Sequence, residues 1–215
     1  NCNLCSNSNV PILYDFLFSL DENGLTVYGS DLETTVAAHI TDITVKSVGR
    51  ICIPAKILME ILKSFTDIPL TFAVDNKTNG VVLSTETGKY KQAGHNADEY
   101  PKMPELAKFN TVNVESMTLA HAVNKTIFAT GNDDLRPVMS GILFEMGSDG
   151  SNFVATDAHK LVKYHRKDVK ASGIASIILP KKPLNLLKNI LSTIDVPVTI
   201  EYSDANIRFK FENIT

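Results

Sequence analysis

The sequence lacks any run of about 18 apolar residues, so no membrane-spanning helix is expected. Its first six residues, NCNLCS, have neither a basic start nor an apolar segment, so no secretory signal peptide is expected. We therefore expect a cytoplasmic protein without a membrane partner.

Cysteine is scarce, with three residues in the chain, which suits a reducing compartment better than a disulfide framework. Cys52 falls in an apolar strand pattern, while Cys2 and Cys5 form a single C-x-x-C. A structural zinc site needs a second pair of ligands, and no partner pair with that spacing follows. We expect neither a metal site nor another cofactor.

An excess of basic residues is also missing, because 21 Lys and Arg stand against 24 Asp and Glu, for a net charge of −3. This balance does not indicate a nucleic-acid-binding protein, although a local basic surface remains compatible with it. With 215 residues, 44% of them hydrophobic, the chain is long enough for one large globular domain or two small ones.

What is present is an internal repeat. A shift of 126 residues aligns the second half with the first, and a shift of 128 continues the match near the end. The aligned pairs include Pro137 with Pro11, Asp157 with Asp31, His165 with His39, Pro180 with Pro54 and Thr199 with Thr71. The chain is therefore predicted to be a tandem duplication of a domain-sized unit.

Each copy predicts the same series of elements. An apolar strand, Pro11–Leu20 or Met139–Met146, precedes a hairpin turn at Asn23-Gly24 or Asp149-Gly150. Two further strands and a short β run lead to a proline and an amphipathic helix. These helices are predicted at Pro54–Phe65, with Ile57 and Leu58 on the apolar face, and at Pro180–Leu191.

The ends of the two copies differ. A helix is predicted at Val114–Phe128, with Met117 and Val123 facing inward, and copy one has no counterpart for it. Copy two stops before its last strands. The expected fold class is α+β, with a first domain at residues 1–109 and a second at residues 110–215. Each domain is expected to be an antiparallel sheet backed by amphipathic helices.

Four segments carry a family resemblance: VPIL at 10–13, GSDLET at 29–34, DLRPVMSG at 134–141 and VATDAHKL at 154–161. In order and spacing they resemble the bacterial DNA polymerase sliding clamp, the DNA polymerase III beta subunit. Family members carry three such domains, and two subunits close a ring around duplex DNA. This chain resembles the first two domains only.

The resemblance implies a non-catalytic processivity factor that holds double-stranded DNA without sequence specificity. Its expected partners are the DNA polymerase III alpha subunit, the clamp loader, and other polymerases and repair proteins with clamp-binding peptides. The full-length protein would be a homodimer.

The lining of such a ring comes from the outer faces of the helices. The lysines predicted to face DNA there are Lys56, Lys63, Lys125, Lys181, Lys182 and Lys188. Mobile lysines without base-reading partners suit phosphate contact without sequence choice. The alternative is that they only solvate the helices.

Two loops are also expected near DNA from the resemblance. Arg136 is one candidate, and a local ion pair with Asp133 or Asp134 is the alternative. The family often has an arginine in the loop before Pro11, whereas this chain has Ser6-Asn7-Ser8-Asn9.

The resemblance further implies a pocket for short extended peptides between the second and third domains. Its second-domain wall would comprise Met139, Thr156, Ala158, His159, Lys160 and Leu161. The family commonly has Gly and Arg where this chain has Ala158 and Lys160, and lysine lacks the planar fork that makes bidentate contacts. Thr156 and His159 are expected to hydrogen-bond the peptide.

Two other functions stand as alternatives. An enzyme could use Asp157 with His159, or a metal held by Asp31, Asp157, His39 and His165, but no nucleophile motif, phosphate loop or H-E-x-x-H accompanies them. A repeated Asp in a turn is better explained by hydrogen bonds to nearby backbone amides. The other alternative is a protein-interaction module that does not encircle DNA.

Overall fold

The computed structural model describes residues 10–66, 68–86, 88–103, 109–132, 135–203 and 206–215. The chain divides into two compact units. The first comprises Asn1–Pro104 together with Asn213–Thr215, and the second comprises Glu105–Glu212. Among the described residues, no helix is long and apolar enough to cross a membrane.

In its described residues, the first unit contains one α-helix and two antiparallel sheets. A 3-10 helix at Pro11–Tyr14 precedes the first strand, and another at Ala97–Glu99 follows the last. The strands and helix are β1 Asp15–Asp21, β2 Gly24–Ser30, β3 Thr35–Ile40, β4 Gly49–Pro54, α1 Ala55–Lys63, β5 Thr71–Asp75, β6 Gly80–Ser84 and β7 Lys89–Ala93. Their orders in the sheets are β3-β2-β1-β4 and β5-β6-β7.

The second unit repeats this plan with an added strand and helix at its start. The elements are β8 Asn110–Glu115, α2 Ser116–Thr126, β9 Gly141–Gly147, β10 Gly150–Thr156, β11 Leu161–Arg166, β12 Ala175–Pro180, α3 Lys181–Leu191, β13 Pro197–Tyr202 and β14 Ile207–Lys210. The strand orders are β11-β10-β9-β12 and β14-β13-β8, and all pairs are antiparallel. The α+β prediction of antiparallel sheets with amphipathic helices is confirmed.

Each unit buries its own core. In the first, Leu58 of α1 packs with Ile53 of β4 and Leu83 of β6, so the helix covers both sheets. In the second, Phe144 and Phe153 are cross-strand partners whose rings stack 4.6 Å apart with no exposed surface. These buried faces explain the alternating burial along β10, which is typical of a half-buried strand.

The repeated hairpin turns form one residue earlier than predicted, at Glu22-Asn23 and Ser148-Asp149, so that Gly24 and Gly150 begin the returning strands. Gly24 and Gly150 adopt φ values of +147° and +131°, which only glycine reaches without strain. Their backbone also lies close to a neighbouring strand. A Cβ at Gly24 would come within 2.4 Å of the Ile40 carbonyl oxygen.

Some predicted boundaries are wrong. The first strand does not begin at Pro11, because Pro11–Tyr14 is a 3-10 helix, and Pro137–Met139 forms the equivalent turn. Proline at the first helical position fixes φ and favours that turn over a strand. Val114 belongs to β8, and α2 starts only at Ser116.

Two side chains expected to face inward are exposed. Ile57 of α1 is 49% exposed and Met117 of α2 is 50% exposed. Helical periodicity assigns both to the apolar face, but it does not tell which part of that face the rest of the unit covers. Ser116 and Leu119 are buried at the start of α2.

The sheet of the first unit is extended by residues far along the chain. Asn213–Thr215 pair with β3: the Ala37 amide donates to Thr215 O at 2.8 Å, and the Thr215 amide donates to Ala37 O at 2.9 Å. The edge of β3 is thus covered by an antiparallel segment.

Candidate functional site

The helices α2 and α3 lie side by side in the second unit. The start of α2 meets the end of α3, where the Ser116 hydroxyl donates to Ile194 O at 2.8 Å and accepts from the Val196 amide at 3.1 Å. Leu119, Val123 and Leu184 are buried beneath the pair. The opposite faces form a surface that we call the helix surface.

The helix surface carries positive charge without negative charge, because neither α2 nor α3 contains Asp or Glu. Lys125 and Lys182 are exposed, and Lys181 and Lys188 are half-buried along their stems. The Lys181 ammonium donates to Asn132 Oδ1 at 2.7 Å. All four predicted lysines of this unit therefore lie on these two helices.

The helix of the first unit has a mixed outer face. Lys56 and Lys63 are exposed and lie two turns apart, with exposed Glu60 between them. This face combines two positive charges with one negative charge, so its net positive charge is smaller than that of α2 and α3.

Arg136 is exposed and precedes the 3-10 helix at Pro137–Met139. Its proposed acidic partners, Asp133 and Asp134, lie outside the described residues. The same applies to the loop at residues 6–9 and to Cys2 and Cys5.

The turn between β10 and β11 is organised by Asp157. Its Oδ1 accepts hydrogen bonds from the His159 and Lys160 amides, each at 3.0 Å. In the first copy, Asp31 Oδ1 accepts from the Glu33 amide at 3.1 Å and the Thr34 amide at 2.7 Å. The prediction that the repeated Asp serves the backbone of a turn is confirmed.

In the second copy, the turn also carries an ion pair. The Lys160 ammonium contacts Asp157 Oδ2. This hydrogen bond, supplemented by the backbone amides, lowers the pKa of Asp157 well below its usual range. The charge of Lys160 is therefore compensated within the turn rather than presented alone to a partner.

The Thr156 hydroxyl is largely used inside the same turn. It donates to Lys160 O at 2.7 Å and accepts from the Ala158 amide at 3.1 Å. Since a hydroxyl has one donor and two acceptor sites, Thr156 retains only an acceptor for a partner. The sequence predicted that Thr156 could both donate a hydrogen bond to a partner and accept one. The structure shows that its donor is already used within the turn.

The other predicted wall residues surround this turn. Ala158 has φ of +75° and is exposed, and His159 is also exposed. Leu161, which faces Thr156 across the strands, is 67% exposed. Met139 is half-buried, and its carbonyl accepts from the Gly131 amide at 2.8 Å.

Sequence reasoning missed two apolar side chains close to Met139 in the chain. Val138 is 64% exposed and Leu135 is 91% exposed. Val138 lies in the 3-10 helix that ends at Met139, just before the predicted strand Met139–Met146. Together with Leu161, they are large apolar side chains left to solvent.

The repeated histidines have structural partners. His39 Nδ1 lies 3.0 Å from Thr26 Oγ1, and His165 Nδ1 lies 2.8 Å from Asn152 Oδ1, each across a strand pair. Within the described ranges, no three His, Cys, Asp or Glu side chains come close enough to hold a metal ion. The alternative metal site is therefore not assembled from Asp31, Asp157 and the histidines.

A groove of about 420 Å³, also missed from sequence, opens beside α2. It is lined by Met117, Thr118, Ala120, His121, Asn124, Arg166 and Ser192. Arg166 donates to Asp168 at 2.8 Å through Nε and to Thr118 at 3.2 Å through Nη2. These hydrogen bonds hold the guanidinium in place, and the one with Asp168 raises the pKa of Arg166 above its usual range.

Comparisons with known proteins agree over nearly the whole chain. Residues 3–104 match the model of the DNA polymerase III beta subunit, N-terminal domain, and residues 113–215 match the model of the central domain of that subunit. The chain is 27% identical to the beta sliding clamp of Haemophilus influenzae, over 99% of this chain and 58% of that protein.

Two further comparisons involve Bacillus subtilis. Its beta sliding clamp is 24% identical over 97% of this chain and 57% of that protein. The crystal structure of the DNA polymerase sliding clamp from the same species superposes with a TM-score of 0.90 at 22% identity, and covers 98% of this chain and 57% of that one. The chain thus spans a little over half the length of these relatives.

Proposed function

The chain belongs to the DNA polymerase III beta subunit family, and we propose that it acts as a DNA sliding clamp. In this role it is a non-catalytic processivity factor. It helps to encircle duplex DNA without sequence specificity and tethers the replicative polymerase. Clamp loader, polymerase alpha subunit and repair proteins would be its protein partners, and a homodimer its full-length assembly.

The observation that carries the proposal is the charge distribution of the helix surface. The whole chain has a net charge of −3, yet α2 and α3 together contain four lysines and no carboxylate. Such segregation produces a local positive potential on an acidic protein. Lys56 and Lys63 of α1 and Arg136 would add further contacts with DNA.

Lysine is suited to this task because it makes a compact, mobile point charge. Contacts with phosphate position a protein on DNA but carry no sequence information. Such contacts also exchange readily with salt, which permits movement along the duplex. Retention would then depend on the closed ring rather than on high affinity.

The DNA interface can be tested with Lys125→Glu combined with Lys188→Glu. Duplex binding, measured by fluorescence anisotropy at several salt concentrations, should weaken, and its logarithmic salt slope should fall by about 0.9 for each phosphate that the variant no longer neutralises. The matched control is Lys167→Glu with Lys170→Glu, which makes the same charge change in the exposed loop after β11. Equal weakening in both variants would contradict a role for the helix surface.

We further propose that Met139, Thr156, Ala158, His159, Lys160 and Leu161 form one wall of a pocket for extended partner peptides. Leu161 offers exposed apolar surface, Met139 offers an adaptable apolar side chain, and Thr156 offers an acceptor. His159→Ala with Leu161→Ala should weaken binding of polymerase peptides in calorimetric titrations. The equivalent change in the first copy, Glu33→Ala with Thr35→Ala, should not, and unchanged affinity in the His159 variant would reject the assignment.

The alternative is a protein-interaction module that does not encircle DNA. The two functions differ in a topological assay. A ring stays on nicked circular duplex during gel filtration and is lost once the DNA is linearised. Equal retention on both forms would favour the alternative.

A further inference from the structure

The segment Gly94–Tyr100 of the first unit, which we call the strap, follows β7 and contains the 3-10 helix at Ala97–Glu99. Ala97 and Tyr100 are buried against Leu13, Leu17 and Cys52. The strap therefore covers this cluster of apolar residues in the unit's core.

Few backbone hydrogen bonds hold the strap to the sheets. The Cys52 amide donates to His95 O at 3.1 Å, the His95 amide donates to Cys52 O at 2.9 Å, and the Gly94 amide donates to Asn79 O at 2.8 Å. The strand pairs beneath it are continuous ladders by comparison. A segment with so few backbone bonds is a candidate for local opening.

A side-chain bond also connects the strap to the start of β1. His95 Nδ1 lies 2.5 Å from Asp15 Oδ2. The imidazole is 55% exposed, whereas the carboxylate is only 5% exposed, so Asp15 reaches the strap from below. A further ion pair joins Arg50 to Asp98 of the strap at 3.9 Å, and it is exposed, so it contributes little.

Asp15 also opposes closure. Burial raises its pKa, and the hydrogen bond and charge of His95 reduce this effect without reversing it. The ionised carboxylate is therefore less stable under the strap than in water, and opening the strap would hydrate it. Apolar packing and the bond to His95 therefore favour the closed strap, whereas the desolvation of the Asp15 carboxylate opposes it.

We propose that the strap opens and recloses locally, while the sheets of the first unit remain folded, and that the bond between His95 and Asp15 is its fastening. Opening gives solvent access to Cys52, which is fully buried when the strap is closed. The device depends on residues of the first unit alone and does not rest on the proposed clamp function.

The rate at which the Cys52 thiol is labelled measures the opening of the strap. Burial, with a smaller contribution from the charge of Asp15, raises the pKa of its thiol to about 12, so the closed state is unreactive. In a chain carrying Cys2→Ser and Cys5→Ser, 5,5′-dithiobis(2-nitrobenzoate) reports exposure. The Cys52 thiolate attacks the reagent's disulfide, forms a mixed disulfide and releases one thionitrobenzoate, whose absorbance gives the rate.

Four substitutions distinguish the fastening from general stability. His95→Ala removes the partner but leaves the buried charge, and labelling should accelerate at least tenfold. Gly94→Ala should act in the same direction, because its Cβ would lie 2.8 Å from Cys52 O. Asp15→Asn removes the charge and should label no faster than the parent. His39→Ala is the control, since it removes a histidine bonded to Thr26 elsewhere in the same unit.

The rates are measured in urea concentrations far below the unfolding transition, which circular dichroism records for each variant. A rate that is nearly independent of urea supports local opening, because little surface is exposed. A rate that rises with the full slope of global unfolding would overturn the proposal. Acceleration by Asp15→Asn equal to that by His95→Ala, or by His39→Ala, would do the same.

Discussion

Gly150, in the β9–β10 hairpin, is the position where a single methyl group should be most damaging to the second unit. Its φ is +131°, and an added Cβ would lie 2.6 Å from Arg166 O and 3.0 Å from the Cα of Lys167. Both contacts involve backbone of the neighbouring strand or its end, so neither can be relieved by a rotamer change. We therefore predict that Gly150→Ala strongly destabilises this unit.

The magnitude follows from two opposing effects. A non-glycine residue in such a backbone conformation costs about 1–3 kcal/mol, and a steric overlap in a packed site costs about 1–3 kcal/mol more. The lower entropy of alanine in the unfolded chain returns about 0.4–1 kcal/mol. The expected loss is thus centred on about 3 kcal/mol, within a range of about 1–5.6 kcal/mol, and the central value corresponds to roughly 12–24 °C in Tm for a unit of this size.

Urea unfolding followed by circular dichroism, with amide exchange of β9 and β10 as a local probe, measures this loss. The control is Gly147→Ala in the same hairpin, where a Cβ would meet Gly150 O at an ordinary 3.6 Å. We expect this variant to stay within about 1 kcal/mol of the parent. If Gly150→Ala and Gly147→Ala unfold at the same urea concentration, the reasoning from φ and the close carbonyl is refuted.

Two other predictions concern the β10–β11 turn. Ala158→Gly should stabilise the second unit by about 0.5–1 kcal/mol, because φ of +75° strains alanine more than the flexibility of glycine costs; a lower urea midpoint would contradict this. The depressed pKa of Asp157 stabilises the turn above the ordinary value of 3.8, and this contribution is lost only as pH falls further, so the His159 amide resonance should titrate well below 3.8. In Lys160→Met the midpoint should rise towards 3.8, and an unchanged midpoint would show that Lys160 does not hold the carboxylate.

The repeat made much of the fold predictable from sequence. Asn23-Gly24 and Asp149-Gly150 are local signals, since only glycine supplies the φ that these hairpins require. The Asp31 and Asp157 turns were predictable for the same reason, because their hydrogen bonds reach only two or three residues ahead.

The ends of the strands and helices, and the exposure of individual side chains, were harder to predict from the sequence because they depend on tertiary packing. The apolar stretch after Pro11 reads as a strand, yet proline begins a 3-10 helix before β1. Helical periodicity predicts the direction in which Met117 points, but it does not tell how far the sheet beneath α2 extends. The margin of an amphipathic face is therefore its least predictable part.

The side-chain interactions also differ in how far the sequence could predict them. The ion pair between Lys160 and Asp157 spans three residues, and opposite charges at that spacing in a turn could have indicated it. The bond between Asp15 and His95 spans 80 residues and leaves no local pattern. Only the folded chain brings that carboxylate beneath the strap.

The pairing of β3 with Asn213–Thr215 also has a consequence for the order of folding. The side-chain amide of Asn213 donates to His39 O at 3.0 Å, and these two residues are 174 positions apart in the chain. Contacts of such long sequence separation carry a large loop-closure entropy and form late. During synthesis, β1 to β4 can assemble while the second unit is still being translated, but the edge of β3 stays open until residue 213 emerges from the ribosome. For that interval β3 has an unpaired edge, open to pairing with other chains until Asn213–Thr215 cover it.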